Sequence, residues 1–111
     1  MEEHSLEHLR AINDQLARSN GRVMNFIARL TDRVDELVSA SLEHDWSEVR
    51  RQSEFLANSG EVYGFAEMSA AARAVCQRID EQAEPVEIKR QLMKLVGRCG
   101  TARADRDSAA G

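Results

Sequence analysis

From Asp45 to Met68 the chain reads DWSEVRRQSEFLANSGEVYGFAEM. This stretch limits the fold more than any other. Asp45 is placed to cap a helix, and Glu48 three residues on completes a capping-box pattern. Trp46, Val49, Ser53, Leu56 and Gly60 then recur in helical steps, one seam of apolar and small side chains. Ser47, Arg50, Glu54, Asn58 and Glu61 fall on the opposite face. Gly60 and Gly64 are expected to break the helix, and the next one starts at Phe65.

The flanking segments repeat the same periodicity. Leu6, Leu9, Ile12 and Leu16 predict a first helix from Ser5 to Arg18, stopped by Ser19-Asn20-Gly21. Val23, Ile27, Leu30, Val34, Leu37 and Ser41 predict a second from Arg22 to Glu43, widened by Phe26, Val38 and Leu42. Phe65, Met68, Ala72, Val75 and Ile79 predict a helix from Phe65 to about Glu81. Pro85 suits the first position of a last helix, where its missing N–H costs nothing. That helix is expected to run to about Arg98, with Ile88, Leu92, Leu95, Val96 and Cys99 inward and Gly100 as its stop. The expected organisation is an N-terminal helix over 1–20, a bundle over 21–100 and a disordered tail over 101–111. The fold class is all-α: an antiparallel four-helix bundle with an additional N-terminal helix.

Composition supports one folded domain of 111 residues, with 42% hydrophobic residues, 5% aromatics and a single proline. A formal net charge of -4 argues against a nucleic-acid partner, which needs clustered cations. Arg22, Arg29 and Arg33 do lie at helical spacing, but Asp32, Asp35 and Glu36 lie among them, and a solvated face is expected. No apolar run approaches the ~20 residues of a membrane helix. The start, MEEHSLEH, is acidic and polar, unlike a signal peptide, so a cytoplasmic location is expected. His4 and His8 are spaced like metal ligands but lack a third partner, and no metal or cofactor is expected. Cys76 and Cys99 lack ligand spacing and read as reduced thiols, not an intramolecular disulfide. His44 is expected in an exposed loop or as a helix C-cap.

The Asp45–Met68 stretch resembles the core of the histidine phosphotransfer domain, in which an aspartate, the phosphorylated histidine and a leucine-lysine-glycine segment precede Y-G-F-x-E. Laid without gaps, the family's aspartate falls on Asp45 and its leucine on Leu56. Its small residues fall on Ser59 and Gly60, and the Y-G-F-x-E on Tyr63, Gly64, Phe65 and Glu67. The family's histidine falls on Glu54, its lysine on Ala57 and its glycine on Asn58. The resemblance spans roughly Phe26 to Val96.

The resemblance implies a signalling module of a two-component phosphorelay that has lost its phosphorylatable histidine. It implies no enzyme activity. It implies docking to a response-regulator receiver domain or a sensor histidine kinase through Arg50, Glu54, Phe55, Ala57, Asn58 and Glu61. Glu54 alone reproduces phosphate geometry poorly. The other reading is a structural or homodimeric helical bundle. Phe55, flanking the core seam, is the expected apolar anchor.

Overall fold

The computed structural model describes the backbone of residues 2–110 and the side chains of residues 21–104. Among the described residues there are four helices: α1 (Glu2–Leu42), α2 (Trp46–Tyr63), α3 (Ala66–Asp80) and α4 (Pro85–Ala110). No strand occurs among the described residues. The helices pack as a bundle, α2 on α1 and α3, and α4 on α3 and α1.

The 3–4 seams meet in one core. Leu30, Leu37, Val49, Leu56, Met68, Val75, Leu92 and Leu95 are buried, and Val34 and Phe65 pack on them half-buried. Phe26 lies 5.2 Å from Tyr63 and 6.0 Å from Phe65, centroid to centroid, closing the core where α2 turns into α3. Val38 and Leu42, expected to widen the α1 seam, are exposed.

The three connections close in the same way. After α1, His44 takes a positive φ of 57° while Asp45 N–H donates to Ala40 O and His44 N–H to Ser41 O. After α2, Gly64 has φ 86° and Phe65 N–H donates to Gly60 O. After α3, Gln82 has φ 56° while Ala83 N–H donates to Arg78 O and Gln82 N–H to Ile79 O. Each left-handed residue ends its helix, and the hydrogen bonds around it satisfy carbonyls that a helix end leaves open. Asp45 caps α2 through Oδ1, which accepts from Glu48 N–H at 3.2 Å. The Glu48 carboxylate does not return to the Asp45 N–H. It accepts instead from Arg51 and from Gln52 Nε2, so only half of the capping box forms.

Three expected breaks are absent. Gly60 lies buried inside α2, where a Cβ would meet Phe65 O at 3.1 Å and Ser69 N at 3.2 Å. Its small size lets α3 approach; it does not end the helix. The separate N-terminal helix gives way to a single α1 that runs through Ser19-Asn20-Gly21. Those residues cost a helix only about 0.5–1 kcal/mol each, and the packed turns from Val23 onward hold the helix. Leu6, Leu9, Ile12 and Leu16, with His4 and His8, lie outside the described side chains. Likewise α4 continues past Gly100 to Ala110, where a disordered tail is expected; Ala102 is buried against the core and Thr101 Oγ1 donates to Gly97 O.

Glycine substitutions separate these roles. Gly97→Ala should raise stability by about 0.5–1 kcal/mol, because nothing lies within 4 Å of its Cβ position and the helix gains propensity. Gly60→Val should lower it by about 1–3 kcal/mol, because backbone atoms of α3 block the added methyls. Urea unfolding of both variants checks the pair, and equal effects would remove the close-approach role of Gly60.

Glu48 makes the acid limb of stability testable. Hydrogen bonds from Arg51, then from Gln52, pull its carboxyl from 4.5 down to about 2. A carboxyl held down in the folded state contributes stability above its unfolded titration point, and that contribution fades as pH falls toward 2. Glu48→Gln should therefore flatten the loss of stability between about pH 5 and pH 2, read from denaturant midpoints across that range.

Candidate functional site

The exposed face of α2 forms one wall of a groove of about 400 Å³, and α3 forms the other. Arg50, Glu54, Ala57 and Asn58 come from α2, and Arg73, Cys76 and Asp80 are among the residues contributed by α3. Arg50 organises it. Its Nε and Nη2 donate to Asp80 Oδ1 and Oδ2 at 2.7 and 3.0 Å, a bidentate grip, and its Nη1 donates to Glu54 Oε2 at 3.0 Å. These bonds raise the Arg50 pKa, Asp80 contributing most, and the Asp80 carboxyl is lowered chiefly by its bond from Arg50. Glu54 remains 58% exposed, so its carboxylate is open to solvent beside a fixed cation.

The floor of the groove is made of small residues. Ala57 is only 2% exposed, and its carbonyl accepts from Ser69 Oγ at 2.7 Å. Cys76 donates its thiol to Arg50 O, and its pKa is raised, first by burial. Cys99 is buried in the core, which pushes its pKa up to about 11. Both thiols are free and neither is a ready nucleophile.

The six residues expected to form one docking face therefore divide. Arg50, Glu54 and Asn58 line the groove with exposed or half-exposed side chains. Ala57 lies beneath them, because four residues from Ser53 and three from Gly60 it faces α3. Its side chain offers a partner no contact area. Phe55, 40% exposed, points the other way, toward α1, where the Arg33 guanidinium covers its ring at 3.7 Å. Glu61 sits beyond the groove, paired with Arg73. The α3 contribution was not visible along α2 alone. Its signal is complementary charge on the two helices, which pairs Arg50 with Asp80 and Glu61 with Arg73.

Among the described residues, no group of three or more His, Cys, Asp or Glu side chains could hold a metal ion, and no helix is long and apolar enough to cross a membrane. His44 is exposed and stacks on Trp46. Comparison with known proteins finds no family model, curated protein or solved structure that matches this chain.

Proposed function

We propose that this chain is a phosphotransfer-like module that docks a receiver domain or a sensor histidine kinase through the α2–α3 groove without carrying phosphate. One observation carries the reading: the residue at the family's histidine position, Glu54, stands exposed at the middle of α2 beside an anchored arginine. The rest of the resembling frame has mechanical roles that fit such a module. Asp45 caps α2, Leu56 is buried, Gly60 admits α3, and Gly64 makes the turn. We also take the bundle to be antiparallel. The α2–α3 contacts Arg50–Asp80, Arg50–Cys76 and Ala57–Ser69 run in opposite sequence directions, as do Glu36–Gln52 and Phe26–Tyr63 between α1 and α2.

A carboxylate at the nucleophile position would give only a labile acyl phosphate. Binding without transfer is therefore the expected behaviour. Titration of a phosphorylated receiver domain should give saturable binding, weakened by Arg50→Glu, with no label left on the chain. Absence of binding to receivers and kinases alike would leave the structural-bundle reading standing.

A further inference from the structure

The α1–α2 face carries cations that the α2–α3 groove does not use. Steps of seven and four residues place Arg22, Arg29 and Arg33 on one side of α1, spanning roughly 16 Å at 1.5 Å per residue. Among the described residues, Arg50, Arg51, Arg73, Arg78, Arg90 and Arg98 each hold a carboxylate. Arg22, Arg29 and Arg33 hold none there. The nearby acids form no ion pair with them: Glu36 accepts from Gln52 at 2.9 Å, and Asp32 and Asp35 make no ion pair among the described residues.

An apolar strip runs beside this ridge. Arg33 lies over the Phe55 ring, and the three arginines line one cleft with Phe55 and Tyr63. Val62, seven residues after Phe55 on the same side of α2, is 75% exposed. Guanidinium groups beside exposed aromatic and aliphatic surface are the composition of a protein-binding patch. The charge of the rest of the chain selects the partner. With a net charge of -4, the molecule as a whole repels a long uniform polyanion such as DNA, whereas a short acidic element meets only the ridge.

We propose that the α1–α2 face docks an acidic amphipathic helix of a partner protein. Carboxylates four residues apart on that helix match the roughly 6 Å rise between Arg29 and Arg33. Its apolar side packs on Phe55 and Val62, the helix-in-groove mode. This surface uses different residues from the Glu54 groove and does not rest on the phosphorelay reading.

The test is fluorescence anisotropy on the full chain. The probe is a fluorescein-labelled peptide of three Leu-Ala-Glu-Leu-Ala-Ala-Glu repeats, and its counterpart has lysine for each glutamate. The acidic peptide should bind saturably and weaken at least about tenfold between roughly 50 and 300 mM salt, while the lysine peptide should not bind. Arg29→Glu with Arg33→Glu should weaken binding by about tenfold or more. Lys89→Glu with Lys94→Glu, the same charge change placed on α4, should alter it by less than about twofold. Val62→Ser should weaken it several-fold at constant charge, with unchanged circular dichroism. No saturable binding would overturn the proposal. So would equal binding of unstructured polyglutamate, or tighter binding of a short DNA duplex. Self-association of the chain abolished by the arginine double variant would make a second copy the occupant and overturn it as well.

Discussion

Leu56→Ala lowers the unfolding free energy by about 2–5 kcal/mol. Leu56 is 0% exposed and sits in the core cluster with residues from all four helices, so a truncated side chain leaves a cavity that no surface loop can fill. For a domain of this size each kcal/mol shifts the melting temperature by about 4–8 °C, so a fall of roughly 10 °C or more is the expected readout. A melt unchanged within a degree would take Leu56 out of the core. The effect reaches the groove as well. Glu54 precedes Leu56 by two residues, about 200° around the helix, so the inward anchoring of Leu56 holds Glu54 outward. Phe55→Ala, at a position 40% exposed and covered by Arg33, should cost clearly less.

The apolar seams were legible in the sequence because a long side chain such as Leu30, Leu92 or Leu95 has one low-energy place, and its spacing says where that is. Small residues carry no such instruction. Gly60 and Gly100 look alike in sequence, yet one admits the α3 backbone and the other merely lies within a helix. The family pattern places Ala57 on the docking face, whereas its burial depends on α3 lying across it. The turns divide similarly. Gly64 announces a left-handed residue, while His44 and Gln82 adopt the same conformation although each carries a Cβ. There the pull of two packed helices overrides local preference. The Arg50–Asp80 grip joins residues thirty apart in sequence and becomes visible only once the α2–α3 register is known.

Incubated with a phosphorylated receiver domain, the native chain remains unlabelled; label on it, acid-labile or base-labile, would refute the proposed function. Glu54→His restores an imidazole on the exposed side of α2 but should transfer poorly, because Asn58 still fills the position where the family has glycine. Adding Asn58→Gly opens that approach. The missing lysine is a different matter. Ala57 is 2% exposed and its carbonyl holds Ser69, so Ala57→Lys must thread a long chain out of the α2–α3 contact and should cost about 1–3 kcal/mol. Arg50 supplies a cation instead: it reaches Glu54 at 3.0 Å from the preceding turn and is fixed there by Asp80. The Glu54→His, Asn58→Gly double variant should therefore gain most of the recoverable transfer, and the triple variant with Ala57→Lys should add little. Arg50→Ala in the double-variant background should reduce labelling by about tenfold or more, since one charge-assisted contact to the phosphoryl group is lost. If a folded double or triple variant neither binds nor accepts phosphate from any receiver or kinase of its own cell, the groove is not a docking site for that relay. The resemblance then reflects a shared bundle geometry alone.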